Sequence, residues 1–153
     1  MMRLVSLFVL LSLLGTLLSS CYEEPSAYEK LTEFVRAYGA EGVIYSPFIP
    51  EGSNGHLPPS LVEKIYRFSG NLPDNFAVLL NPRTDMFFEC GVFVCDGADG
   101  LSSVTETCRE RVKLLCGGDV RGFIRISEMT VFYSTLSDRA RAERIWREII
   151  SKK

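Results

Sequence analysis

The chain has 153 residues, a formal net charge of −2, 24% charged and 11% aromatic side chains, five cysteines and a single histidine. Those proportions belong to a folded globule and exclude a disordered tail. No concentrated Lys/Arg patch stands out, so nucleic acid is excluded as a partner.

Arg3 is the one charged side chain in the first 20 residues, and Leu4 to Leu18 is an almost unbroken apolar run ending in Ser19 and Ser20. This is the anatomy of a secretory signal. The apolar run covers 15 residues, short of the roughly 20 that cross a bilayer, which argues against an uncleaved transmembrane anchor. Leu18-Ser19-Ser20-Cys21 resembles the bacterial lipobox, an aliphatic residue and two small ones before a cysteine. The resemblance implies cleavage before Cys21 and a diacylglyceryl thioether on its sulfur. Each buried CH₂ contributes about 0.8 kcal/mol, so two acyl chains anchor stably where one is marginal. In the other reading Cys21 is an incidental cysteine after an ordinary secretory signal, which leaves an odd number of thiols; lipidation leaves an even four. The expected division is a signal over 1–20, a short tether over 21–25 and one domain over 26–153. The 133 residues after the signal are enough for a core of their own.

Within the domain, Ser26-Ala27-Tyr28-Glu29 fits a capping box, and Leu31, Phe34, Val35 and Tyr38 follow at helical spacing, predicting a helix over 27–38 that stops at Gly39. Residues 42–59, rich in Gly, Pro, Ser and Asn, predict an ordered excursion over the surface. A second capping box, Ser60-Leu61-Val62-Glu63, predicts a short helix to about Phe68. Phe76 to Leu80 is a short apolar run between turn signals and predicts a buried strand. The strand Met86 to Cys95 pairs with it as a hairpin, and its apolar mixture indicates cover on both faces for part of its length. Asp96 to Gly100 reads as a turn, and a third capping box, Ser103-Val104-Thr105-Glu106, predicts a helix over 103–116. Phe123 to Ile126 and Met129 to Thr135 form a hairpin turning at Ser127-Glu128. Ser137 or Asp138 caps a last helix whose inner face is Ala142, Ile145, Trp146, Ile149 and Ile150.

The expected fold class is α+β: an antiparallel sheet of about four strands with helices packed on one face, in the order α-α-β-β-α-β-β-α after the signal.

Four cysteines remain in the domain. Their spacings, C-x₄-C for Cys90 and Cys95 and C-x₇-C for Cys108 and Cys116, are those of neither a zinc ribbon nor a C-x-x-C redox motif. Residues five apart in a strand point to opposite faces, and residues eight apart in a helix lie about 12 Å apart, so neither pair bonds internally. Two readings stay open: a strand-to-helix disulfide joining Cys90 or Cys95 to Cys108 or Cys116, or buried thiols acting as small hydrophobes. His56 is the sole histidine and sits in a Gly/Pro-rich loop, which excludes a multi-histidine metal site. Asp96 and Asp99 lack the alternation and closing Glu of a calcium loop. No phosphate-binding loop, nucleophile elbow or zinc-protease motif is present. Neither a cofactor nor a metal is expected. Glu89, between apolar neighbours in a central strand, needs a partner if buried, and Arg111 on the following helix is the candidate for a structural ion pair.

The strand Glu89-Cys90-Gly91-Val92-Phe93-Val94, the helix with Val104 and Arg111, and Val131-Phe132-Tyr133, together with the lipobox, resemble the small lipoproteins of Gram-positive anaerobes grouped as domain of unknown function 4358. The resemblance covers about residues 61–150 and departs from the pattern in the four cysteines and the 42–59 insertion. It implies a surface lipoprotein and carries over no catalytic residue. The expected function is a non-enzymatic binding or structural module on the extracytoplasmic face of the cell membrane, with an envelope protein or component as partner. The alternative is a thiol-dependent envelope enzyme using Cys90 or Cys95.

Overall fold

In the computed structural model, the described residues are 25–68, 73–81, 88–117 and 121–152. Among them are four helices, α1 (Ala27–Tyr38), α2 (Pro59–Tyr66), α3 (Ala98–Cys116) and α4 (Arg139–Ile150). They surround an antiparallel sheet of five strands, β1 (Val43–Tyr45), β2 (Asn75–Leu80), β3 (Glu89–Val94), β4 (Phe123–Ser127) and β5 (Thr130–Ser134), in spatial order β1-β2-β3-β5-β4. The fold class is α+β. The fifth strand is β1, three residues within the 42–59 excursion that pair Val43 with Leu80 and Tyr45 with Val78.

The helices cover both faces of the sheet, two on each, a correction to the expected single covered face. Alternation along the strands explains it. Ala77 and Leu79 of β2, Cys90 and Val92 of β3 and Phe132 of β5 face one way, against Leu31 and Phe34 of α1 and Ile145, Trp146 and Ile149 of α4. Phe76, Val78, Phe93, Val131 and Tyr133 face the other way, against Val62 and Tyr66 of α2 and Val104 and Cys108 of α3. Side chains two apart share a face, so strands apolar at every position must be covered twice. In the first core Trp146 stacks on Phe132 with centroids 4.2 Å apart, and Phe34 meets the edge of the same ring at 4.8 Å.

Local chemistry sets the helix ends. At α1 the capping box forms: Glu29 N–H donates to Ser26 Oγ at 3.3 Å and Ser26 N–H donates to Glu29 Oε2 at 2.8 Å. Gly39 ends the helix at φ 75°, its N–H donating to the Val35 carbonyl. Asp138 caps α4, accepting from Arg141 N–H at 3.0 Å.

The other two capping boxes are not used. Pro58 precedes α2 without a side-chain cap and Pro59 opens the helix, its fixed φ suited to a first helical position, so α2 starts ahead of Ser60 and ends at Tyr66. Helix α3 starts five residues before Ser103, at Ala98, because Leu101, Val104, Thr105 and Cys108 continue one inward stripe. Asp99 sits in its first turn, favourable at the positive end of a helix, so Asp96 to Gly100 is partly helix rather than turn. Strand β3 ends at Val94, leaving Cys95 just beyond it, while Met86 and Phe87 of the predicted strand lie outside the described residues.

The excursion is a closed loop. Ser46 N–H donates to the Gly55 carbonyl and Leu57 N–H to the Ser46 carbonyl, while the buried Ser46 hydroxyl donates to the Phe76 carbonyl at 2.9 Å. Among the described residues no helix is long and apolar enough to cross a membrane; the Leu4–Leu18 run and Cys21 lie outside them.

One glycine decides a register. Gly91 pairs with Tyr133 across β3 and β5, and the Tyr133 ring lies so close that a Cβ on residue 91 would stand 2.3 Å from its Cε1. Gly91→Ala is expected to destabilise the domain by about 1–3 kcal/mol through overpacking, against the slight gain that replacing a strand glycine otherwise brings. Urea unfolding of the two proteins measures this, and a neutral Gly91→Ala would contradict the close approach.

Candidate functional site

Glu89 opens β3 opposite Leu80. Thr135, just past β5, fixes its backbone: Glu89 N–H donates to Thr135 Oγ1 at 2.8 Å, and Thr135 N–H donates to the Glu89 carbonyl at 2.9 Å. Glu89, Gly91 and Phe93 share the face beneath α2 and α3, by strand alternation. Because residue 91 has no side chain, the Tyr133 ring lies across it and its hydroxyl reaches back to Glu89 Oε1 at 2.5 Å. Tyr66, the last residue of α2, brings a second hydroxyl 2.9 Å from the same oxygen and 2.5 Å from the Tyr133 hydroxyl. From α3, Arg111 donates through Nε to Oε1 at 2.9 Å and through Nη2 to Oε2 at 2.7 Å, and its guanidinium carbon lies 5.3 Å from the Tyr66 ring centroid.

This arrangement meets the requirement that made Glu89 conspicuous. The carboxylate is fully buried, and a buried carboxylate is tolerated only where its charge is compensated and its lone pairs are occupied. Arg111 supplies the charge in the two-toothed geometry that suits a guanidinium, and the phenols fill sites on Oε1. Burial, then the neighbouring Glu89 charge, push the Tyr66 hydroxyl well above the ordinary phenol range, and burial raises Tyr133 in the same way, with the Glu89 charge adding to it. Both phenols therefore stay protonated. The hydrogen bonds that Arg111 donates to Glu89 raise it above its already high value and keep it a cation. The cluster thereby joins α2, β3, β5 and α3.

Above it a cleft of about 630 Å³ runs between α2 and α3, with Tyr66 and Arg111 in its lining and Ile65, Leu114, Arg67 and Glu110 around it. A second cavity, of about 530 Å³, lies where α1 begins, between Pro25, the α4 end and the β4–β5 turn. Its charges are engaged within the protein: Lys152 pairs with Glu33 at 2.5 Å, and Lys30 Nζ donates to Thr130 Oγ1 at 3.4 Å.

Cys90, Cys95, Cys108 and Cys116 are all free and buried. Cys90 belongs to the core under α1 and α4, its Sγ 3.7 Å from Ser134 Oγ, whereas Cys95 and Cys108 belong to the core under α2 and α3. The sheet thus separates Cys90 from Cys108, and a bridge between those two would have to pass through it. Burial raises the Cys90 thiol to about 12 and, together with the nearby Asp96, the Cys95 thiol to about 11; Cys108 is pushed higher still. His56 Nδ1 lies 2.7 Å from the Ile49 carbonyl and helps close the 46–57 loop. Among the described residues no group of three or more His, Cys, Asp or Glu side chains could hold a metal ion.

Sequence reasoning named Glu89 and Arg111 and missed Tyr66, Tyr133, Gly91 and Thr135. The signal that was available is stoichiometric. A buried carboxylate has about four acceptor sites, and one arginine leaves some of them open, so further donors had to come from the same face. No protein-family model, curated protein or solved structure matches the chain.

Arg111→Met, which leaves Glu89 buried without its counter-ion, is expected to lower the unfolding free energy by about 3–5 kcal/mol, and the double variant Glu89→Leu/Arg111→Met to recover most of that loss. Urea titration of the single and double variants checks both. Alkaline pH provides a second test. A thiol whose folded value lies above its ordinary value near 9 stabilises the fold fully below that pH, and the contribution is lost as pH rises toward the folded value. Each such thiol costs about 1.4 kcal/mol per pH unit while only the unfolded chain ionises. Between pH 9 and 11, under reducing conditions, stability should fall, and in Cys90→Ala the slope should be shallower by that amount.

Proposed function

We propose that the chain is a non-enzymatic binding or structural module, held on the extracytoplasmic face of a bacterial cell membrane by a lipid on Cys21, with an envelope protein or component as its partner. The observation that carries the non-enzymatic part is the pairing of the buried Glu89 with Arg111 and two phenols. Among the described residues the one buried carboxylate, Glu89, accepts from Arg111 on both oxygens and from the phenol cluster on Oε1, which suits a structural pin rather than a general base or nucleophile. The thiol-dependent alternative needs an accessible thiolate, which is the reactive form of cysteine. Cys90 is fully buried with its thiol raised to about 12, and Cys95 is raised to about 11, which favours the module.

The anchor rests on the lipobox at Leu18 to Cys21 and on the brevity of the tether: a domain that begins within a few residues of its lipid works close to the bilayer surface. Expression of the full chain in a bacterium that processes lipoproteins, followed by mass spectrometry of the purified N-terminus, should show residues 1–20 removed and a diacylglyceryl group on Cys21. An unmodified Cys21 or a retained Met1 would sink the anchor. Titration of the folded protein with iodoacetamide should show none of the four domain thiols reacting as fast as it does in the denatured chain. A thiol that reacts faster than in the denatured chain would overturn the non-enzymatic reading.

A further inference from the structure

We infer that α2 is a lid: it swings as a unit on Pro58 and Arg67, is latched shut by the Tyr66 hydroxyl on Glu89, and covers the aromatic floor formed by Phe76, Phe93 and Tyr133. The inference concerns the domain alone and does not depend on the membrane anchor or on the proposed partner.

Three features of α2 support it. The helix is eight residues long and buries only Val62 and Tyr66, leaving Leu61 at 44% and Ile65 at 39% exposure on its outer side. An isolated helix of this length is not stable in water, so its position depends on Val62 and Tyr66 and on Phe68 just past its end, which packs on Tyr66 and Phe93. Its polar contact with the sheet is directional: the Tyr66 hydroxyl reaches Glu89 and Tyr133, while its ring meets Phe93 edge-on at 5.7 Å.

The third feature is the backbone at the helix end. Arg67 caps α2 at φ 54°, ψ 48°, a left-handed conformation normally left to glycine or asparagine. A non-glycine residue held there stores strain in the closed arrangement. Strain is therefore held at the end of the helix, while at its start Pro58 and Pro59 are fixed in φ and leave rotation about ψ alone. When the latch opens, the Arg67 backbone can relax, and the uncovered surface is aromatic and ends at the Glu89–Arg111 pair.

The cysteines provide the test, because they report on opposite sides of the sheet. Cys108 and Cys90 are both fully buried, but Cys108 lies in the core beneath α2 and α3, within electrostatic reach of both phenols, whereas Cys90 lies beneath α1 and α4. The full chain is treated with iodoacetamide under native conditions, and labelling is resolved by peptide mass spectrometry. In the parent protein Cys108 is expected to label faster than Cys90, and both more slowly than in the denatured chain. In Tyr66→Phe, which keeps the ring and removes the latch, Cys108 labelling should rise about tenfold with Cys90 unchanged, the shift that losing one hydrogen bond to a charged group produces. In Arg67→Gly, at an exposed position and with the strain relieved, Cys108 labelling should fall about threefold. Equal labelling of Cys90 and Cys108 in the parent, a parallel rise of both in Tyr66→Phe, no change in Tyr66→Phe, or unchanged or faster Cys108 labelling in Arg67→Gly would each overturn the lid.

Discussion

A carboxylate with no exposure to water sits at the start of the sheet's central strand, and the rest of the α2/α3 side is arranged around keeping it there. Glu89 cannot be removed from solvent without a compensating charge. The charge comes from Arg111, which sets the rotation of α3 over the sheet so that the guanidinium meets both carboxylate oxygens. Oε1 takes two more donors, and these place Tyr133 over Gly91 and bring the end of α2 down onto the sheet. The cost of burying the charge is thereby converted into directional contacts among four elements. An apolar residue in its place would pack as well and specify less.

The two cores have different characters. Beneath α1 and α4 the packing is apolar and aromatic, with Phe34, Phe132 and Trp146 in mutual ring contact and both helices capped by side chains. Beneath α2 and α3 aromatic packing is combined with the polar cluster, and neither helix has a side-chain cap. Hydrophobic contact tolerates small shifts, whereas hydrogen bonds are lost over a fraction of an ångström. The second side of the sheet is thus the one where a single hydroxyl can decide whether a helix is docked. Among the described residues the exposed Leu61, Ile65 and Leu114 also lie on these two helices.

The electrostatic state of the interior bears on chemistry as much as on stability. The buried thiols and phenols are held in their neutral forms by desolvation, and the buried charge of Glu89 is offset by the partly exposed Arg111.

The sequence alone determined the elements whose signals are local. Ser26 with Glu29 and Gly39 marks both ends of α1, the spacing of Ala142, Ile145, Trp146 and Ile149 marks the inner face of α4, and the apolar runs of β2 and β5 mark strands, because capping and periodicity involve neighbours a few residues apart. It also identified Glu89 as a residue in need of a cation and Arg111 as a candidate. Only the tertiary structure decided what depends on pairing between distant segments: that Val43 to Tyr45 joins the sheet, that the helices divide between two faces, that α3 extends back through Gly100, and that Tyr66 and Tyr133 meet at one oxygen. A tyrosine on an apolar face reads as core in any linear pattern. Its hydroxyl acquires a role only when strand register places a glycine opposite one ring and a short helix delivers the other, and both conditions are set by contacts between residues far apart in the chain.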